Sequence, residues 1–228
     1  MTVLPVPGDG KPRDVFVARE GGTVSEQLRP QSLPEVLYVA LREAILSLEL
    51  SPGTRVTEAF VADKYSVARP TARAVIEQLT GVGLLSRSSH KSAYVPIFSP
   101  EDIVDIYESR IAMEREVVRS LAEGALVPAG AQEQIDTLRR TTPDGGGLQS
   151  IAPDLEFHRL LVEATGRRRL LKAYLGLMGE AQLCMAHVAV GRLLDSATIV
   201  EEHQGILESI ADGDGDEAAR RLTAHLRL

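Results

Sequence analysis

The chain has 228 residues, enough for two domains, and 44% of them are apolar, which is typical of a globular protein. Its single cysteine, Cys184, excludes an intrachain disulfide and is typical of a protein from a reducing cytoplasm. The sequence has no apolar run of about 18 residues and no basic-then-apolar leader pattern. We therefore expect a cytoplasmic protein without a membrane partner.

The net charge of −7 argues against a protein that binds nucleic acid over its whole surface, but the charge is uneven. Residues 32–96 hold seven basic and six acidic residues, whereas residues 97–228 hold fourteen basic and twenty-two acidic residues. Attraction to DNA would then be local to the first segment and sensitive to salt. Aromatic residues make up only 4% of the chain and tryptophan is absent, which favours a core of aliphatic side chains between helices.

Residues 1–31 are rich in proline and glycine and keep neither a helical nor a strand period. This composition predicts a flexible N-terminal arm.

A first helix is predicted at about residues 34–49, before the turn at Pro52 and Gly53. Its predicted apolar face consists of Val36, Val39, Ala40, Ile45 and Leu48.

Two further helices follow that turn. The second is predicted at about residues 57–64, where Thr57 is the candidate N-cap. The third is predicted at about residues 70–80, because Pro70 disfavours helical backbone at the preceding Arg69. Its buried face is predicted to be Ala72, Val75, Ile76 and Leu79.

Residues 84–87 and 93–95 read as two short strands around a polar tip at residues 88–91. The order helix, helix, helix and two strands is that of a winged helix-turn-helix. Such a unit reaches DNA with short or cationic side chains at the start of its third helix, while the wing and second helix contact phosphates. The predicted DNA contacts are Lys64, Arg69, Thr71, Arg73, Arg87, His90 and Lys91. The alternative is a solvated charged face.

This segment resembles the N-terminal domain of GntR-family bacterial transcription regulators, on the stretch LREAILSLELSPGTRVTEAFVADKYSVARPTARAVIEQLTGVGLL and the HKSAYV wing. The resemblance implies operator DNA as a partner. The sequence departs from the family pattern at Ala59, Ala68, Pro70, Thr71 and Ser92, positions that concern base contacts rather than the fold.

From residue 99 onward only helices are predicted, at about 100–125, 128–141, 150–165, 167–190, 195–212 and 215–227. Ser99 is the cap of the first, with Pro100 and two acidic residues in its first turn. We therefore predict a mainly α protein: an arm at 1–31, a winged helix-turn-helix at 32–98 and an all-α six-helix bundle at 99–228.

Asp154 and His158 are four residues apart, so they share one face of a helix, and His203 and His225 lie on later helices. One carboxylate and three imidazoles that converge inside a bundle can hold a divalent metal. The spacing of the first pair is weak evidence by itself, since each histidine can equally be an ordinary buried or exposed side chain.

Residues 99–228 also look like the FCD ligand-binding domain of the FadR-type GntR subfamily, on the stretch IVDIYESRIAMEREVVRSLA and the segments around Asp154, His158, His203 and His225. The resemblance implies that these four residues bind zinc, nickel or manganese and that a carboxylate effector completes the coordination. Arg110 matches the family's arginine and would pair with that carboxylate. An exposed salt bridge between Arg110 and Glu114 on the helix surface is the alternative.

We predict a homodimeric regulator of transcription, a repressor released by a small organic acid, and not an enzyme. The helix that follows the wing directly is one route by which the bundle would influence the DNA-reading residues. A regulator that senses the metal itself, a purely structural metal and a helical metalloenzyme with an activated water are the alternatives.

Overall fold

The computed structural model describes residues 32–87, 92–141, 147–190 and 196–227, and in these ranges the chain is mainly α, as predicted. The arm at 1–31 and the wing tip at 88–91, which includes His90 and Lys91, lie outside the described residues. The helices are α1 (Leu33–Leu46), α2 (Glu58–Tyr65), α3 (Arg69–Gly81), α4 (Pro100–Glu123), α5 (Ala131–Thr141), α6 (Gly147–Ala164), α7 (Arg168–Val190), α8 (Ser196–Ala211) and α9 (Gly215–Leu226), and the strands are β1 (Arg55–Val56) and β2 (Ala93–Tyr94).

The predicted apolar face of α1 is partly wrong. Val36 and Val39 are 46% and 47% exposed, although both were expected to be buried. The larger leucines lie on the face that packs against α3, where they remove more apolar surface from water than the valines would. The buried residues of α1 are Leu37, Leu41, Ala44 and Ile45.

Helix α1 also ends three residues earlier than predicted. Leu48 adopts a left-handed backbone with φ of 63°, and the N–H of Leu50 donates to the carbonyl of Ala44 at 2.8 Å. This return of the chain supplies a partner for a carbonyl at the helix end. It also buries the side chain of Leu50, which is 5% exposed.

The N-cap of α2 and the buried face of α3 are as predicted. The Thr57 side chain accepts a hydrogen bond from the N–H of Phe60 at 3.1 Å and caps α2. The predicted face of α3 is buried. However, α3 begins at Arg69 rather than one residue later. Pro70 is tolerated there because the first N–H groups of a helix have no partner within it.

The strand pairing differs from the prediction. β1 precedes α2 and pairs antiparallel with β2, so that Arg55 faces Tyr94 and Val56 faces Ala93. The segment at 84–87 contributes only a bridge, in which Ser86 and Tyr94 exchange two backbone hydrogen bonds of 2.9 Å. Two-residue strands leave too short a pattern to be recognised in the sequence.

Helices α4 to α9 form the C-terminal bundle, and in the part of the chain that the structure describes they are the six that were predicted. The side chain of Ser99 accepts from the N–H of Asp102 at 3.2 Å and the Asp102 carboxylate accepts from the N–H of Ser99 at 2.8 Å, which caps α4. None of the described helices is long and apolar enough to cross a membrane. The bundle core includes Val117, Phe157, Leu161, Tyr174, Ile206 and Leu222.

Candidate metal centre and DNA-binding surface

The bundle brings the four predicted metal ligands together. Asp154 and His158 lie on α6, His203 on α8 and His225 on α9, and one ligand atom from each lies within 4.8 Å of those of the others. Asp154 is 3% exposed, while His158 and His203 are completely buried. Polar groups at this depth need partners.

The distances within the cluster suit donors that share one ion. Nε2 of His225 lies 3.1 Å from Nε2 of His158 and 3.1 Å from Nε2 of His203. A carboxylate oxygen of Asp154 lies 3.4 Å from Nε2 of His203. Two donors bound to one metal at about 2.1 Å are separated by roughly 3.0 to 3.4 Å.

Two glutamates orient two of the imidazoles. Oε2 of Glu114 lies 2.5 Å from Nδ1 of His158, and Oε2 of Glu202 lies 2.7 Å from Nδ1 of His225. When each Nδ1 donates its proton to a carboxylate, each Nε2 presents a lone pair to the centre. Two lone pairs that face each other at 3.1 Å repel unless a cation lies between them. The donor set therefore fits a divalent transition metal.

Sequence reasoning did not identify Glu114, Glu202 or Tyr174 as part of this centre. The sequence suggests Glu114 only as a surface partner for Arg110, yet both side chains are buried, at 0% and 1% exposed. Glu202 precedes His203 in sequence but contacts His225 on another helix. Only the packing of helices reveals these contacts.

Arg110 is held in a buried network on the Glu114 side of the centre. Its Nε donates to Oε1 of Glu114 at 3.0 Å, and the Tyr174 hydroxyl donates to the same oxygen at 2.7 Å. The guanidinium carbon lies 5.4 Å from the centroid of the Tyr107 ring. The Nη2 of Arg110 is buried and has no hydrogen-bond partner among the described residues. Arg110 thus retains an unused donor.

Burial controls the protonation of this cluster. It lowers the pKa of His158 despite the nearby Glu114 carboxylate. It also lowers the pKa of His203 well below its usual value, and the neighbouring His225 and His158 add to the effect. Burial alone would raise the pKa of Glu114, but His158, Arg110 and the hydrogen bond from Tyr174 outweigh it and lower this pKa to about 2. Burial therefore favours the neutral imidazoles of His158 and His203 beside the ionised carboxylate of Glu114.

Three of the predicted DNA contacts, Arg69, Thr71 and Arg73, lie at the start of α3. Arg69 is exposed and makes no ion pair with any residue that the structure describes, while Thr71 is half-buried. Arg73 is exposed but pairs with Glu77 at 3.1 Å and with Glu58 at 3.8 Å. No acidic residue lies in the first turn of α3, so its N-terminus is open to a phosphate or an acceptor on a base.

The remaining predicted DNA contacts differ in how freely their side chains could bind a phosphate. Lys64 donates to Glu49 at 2.5 Å, so a phosphate would have to replace this partner. Arg87 is exposed at the base of the wing. His90 and Lys91 are not among the residues that the structure describes.

Both parts of the chain match known protein families. Residues 33–95 match the model described as bacterial regulatory proteins, gntR family. Residues 105–228 match the model of the FCD domain.

Curated relatives cover most of the chain at low identity. The HTH-type transcriptional repressor NanR of Klebsiella aerogenes is 26% identical over 214 residues, which are 91% of this chain and 75% of that protein. The HTH-type transcriptional repressor RspR of Escherichia coli is 24% identical over 213 residues, which are 90% of this chain and 91% of that protein.

Solved structures share the fold. E. coli McbR/YncC has a TM-score of 0.67 and 19% identity, and the match covers 86% of this chain and 94% of that one. A GntR-type transcriptional regulator from Rhodococcus sp. RHA1 has a TM-score of 0.64 and 21% identity, with coverage of 85% and 93%.

The lowered histidine pKa values predict how stability depends on pH in chelator-treated protein. His158 and His203 bind protons less readily in the folded state, because burial lowers each pKa, whereas the unfolded chain binds protons as the pH falls through about 6.5. The free energy of unfolding should therefore decrease between pH 7 and pH 5, by at most about 2 kcal/mol for each histidine that stays neutral. Urea unfolding at each pH measures this, and His203→Gln should show the smaller decrease. Equal decreases in the two proteins would contradict the prediction.

Proposed function

The chain belongs to the GntR family of bacterial transcription regulators and carries that family's FCD domain, and we propose that it is a dimeric repressor whose DNA binding is controlled at the histidine centre. The observation that supports control at this centre is the inward orientation of His158 and His225 by two carboxylates. The protein is a transcription regulator rather than an enzyme, as are its relatives.

In the proposed function Asp154, His158, His203 and His225 hold one divalent metal ion. When bound, the ion supplies a positive charge and a coordination position for an oxygen of the effector. Glu114 and Glu202 keep two of the imidazoles in the tautomer that binds metal. The buried position of the cluster restricts access to small ligands.

The proposed effector is a small organic acid. Arg110 is completely buried, carries a positive charge and has a free donor at Nη2. A carboxylate that accepts from this donor would satisfy a buried polar group that otherwise costs free energy. Charge-assisted hydrogen bonds to arginine are among the stronger ones in proteins, so this contact gives selectivity for anions.

On the DNA side, α3 would enter the major groove with Arg69, Thr71 and Arg73 near the bases. Lys64, Arg87, His90 and Lys91 would contact phosphates. In a dimer two such units read the two halves of a near-palindrome. The effector releases the operator only if it binds better to an arrangement of the DNA-reading units that does not fit DNA.

The direct metal sensor is the second candidate. Arg110 is already paired with Glu114, so its charge is compensated without an effector. In that case DNA affinity would follow metal occupancy with no organic acid present.

Replacement of Arg69 by alanine should weaken binding to DNA that the wild-type protein selects from a random library. We expect a loss of about tenfold, because a contact from arginine to a base is worth about 1–3 kcal/mol. Fluorescence anisotropy with labelled DNA measures the affinity. The matched control is Arg220→Ala, an exposed arginine on α9, which should stay within about twofold of wild type. Equal losses in both variants would contradict a specific role for Arg69.

Elemental analysis of the purified protein tests the metal site. We expect about one divalent ion per chain in the wild-type protein, and none in the Asp154→Ala/His158→Ala double variant, because two of the four ligands are gone. Asp216→Ala removes an exposed carboxylate from the same bundle and should retain the metal. Equal metal content in the double variant and the wild type would sink the assignment.

Replacement of Arg110 by lysine tests the effector contact. Lysine keeps the positive charge opposite Glu114 but loses the planar set of donors, so the organic acid that releases DNA should be needed at about tenfold higher concentration. Metal content should stay unchanged. Arg115→Lys, an exposed change on the same helix, is the control. A release curve for Arg110→Lys that overlays the control would rule out this role.

A further inference from the structure

At one point the DNA-reading unit and the bundle meet backbone to backbone. Gly179 on α7 lies so close to the end of α3 that a β-carbon on it would overlap the carbonyl oxygen of Val82. Gly83 has φ of 80°, and a β-carbon there would overlap the carbonyl oxygen of Gly176. Each glycine is therefore needed for the approach of the other segment. No side chain separates the two backbones at this point.

One further residue of α7 strengthens this junction. Leu183, about one turn beyond Gly179, is completely buried and belongs to the hydrophobic core of the DNA-reading unit rather than to that of the bundle. Helix α7 therefore contributes to both cores. Leu46 of α1 and Phe98, which precedes α4, also pack against both hydrophobic cores, so the junction combines a backbone contact with a few shared apolar side chains.

An open space lies on the α1 side of the junction. Its first part, of about 570 Å³, is lined in part by Tyr38, Val82 and Gly179. The adjoining part, of about 650 Å³, shares Arg42 and Gln182 with the first. This space leaves room for a rotation of one unit against the other about the glycine contact.

The same helix reaches the histidine centre. Tyr174 on α7 is completely buried and donates to Glu114 at 2.7 Å, and the other oxygen of Glu114 holds His158. Tyr174 and Gly179 are five residues apart, about 7 Å along a helix. A rigid segment of α7 thus connects Glu114, through Tyr174, to the C-terminal end of α3. Glu114 is the hydrogen-bond partner of His158, and α3 is the helix that begins with Arg69.

We propose that the contact between Gly83 and Gly179 is the pivot that sets the angle between the DNA-reading unit and the bundle, and that α7 carries the state of the histidine centre to it. This inference rests on the proposed function. It adds a connection separate from the direct chain link between the wing and α4. The pivot acts on the C-terminal end of α3, so a small rotation there moves the base-reading end by a larger distance.

The test compares two alanine substitutions on α7. Gly179→Ala places a methyl group against the carbonyl of Val82, whereas the β-carbon of Gly176→Ala meets no atom within 4 Å and leaves the Gly176 carbonyl in place. Both changes raise helix propensity by a similar amount, so they differ in the steric effect at the junction. The DNA probes are the two-half-site sequence that wild-type protein selects from a random library, and one isolated half-site.

The expected result is that Gly179→Ala loses about tenfold in affinity for the two-half-site DNA, because two recognition helices at a changed angle no longer match the spacing. Its affinity for the isolated half-site should stay within about twofold of wild type, which also shows that the unit is folded. Gly176→Ala should behave as wild type on both probes. Equal affinities of the two variants for the two-half-site DNA would overturn the pivot.

A chelator arm tests the transmission along α7. Removal of metal should change the affinity of wild-type protein and Gly176→Ala for the two-half-site DNA by about threefold or more, in line with typical coupling energies, and leave Gly179→Ala unchanged. An equal response in all three proteins would overturn the role of α7. Elemental analysis of the same wild-type sample distinguishes failure of the metal site from failure of the pivot. Absence of metal would overturn the metal site and the transmission along α7. The comparison of the two variants on DNA decides the pivot by itself.

Discussion

The hydrogen bonds from His158 to Glu114 and from His225 to Glu202 determine what the centre of the bundle can bind. When the ring donates, each bond places a proton on the outer nitrogen and leaves a lone pair on the inner one. In that tautomer the inner nitrogens of the two rings face each other at 3.1 Å, and a cation between them would remove the repulsion of their lone pairs. Binding of a metal would therefore stabilise the folded bundle.

The ionised carboxylate of Glu114 is itself a costly group to bury, and the surrounding side chains explain how the fold tolerates it. Arg110 compensates its charge, Tyr174 donates a hydrogen bond to one oxygen, and His158 interacts with the other. Breaking such a buried network by removing one member costs more than its net contribution to stability. The network leaves the Nη2 of Arg110 as the donor that a ligand could use.

A regulator needs a connection between its ligand site and its DNA-reading unit that can take more than one arrangement. In this chain each part has its own hydrophobic core, α7 supplies residues to both, and Leu46 and Phe98 pack against both. The glycines at the junction allow a close backbone approach, and the open space on its α1 side leaves room for movement. In the proposed function, a change at the histidine centre would act on this junction.

The sequence by itself determined the features that depend on local interactions. Helix caps at Thr57 and Ser99, the buried face of α3 and the six helices of the bundle could all be predicted, because capping and helical period involve residues a few positions apart. The four candidate ligands were also named from the sequence, as residues that could converge inside a bundle and as the residues that the family resemblance implies. Their spacing alone would not have shown that they meet.

Only the tertiary structure decided the features that depend on residues from distant parts of the chain. The leucines of α1 are buried instead of the valines because they lie on the face that packs against α3. The pairing of β1 with β2 joins segments almost forty residues apart. Glu114 on α4 contacts His158 on α6, and Glu202 on α8 contacts His225 on α9. Tyr174 reaches Glu114 from α7. The sequence does not show any of these contacts between helices. The start of α3 at Arg69 and the approach of Gly179 to Val82 were likewise decided by the packed structure. Packing overrides a weak local preference because the burial of apolar surface and the pairing of buried polar groups involve larger free energies than backbone propensity.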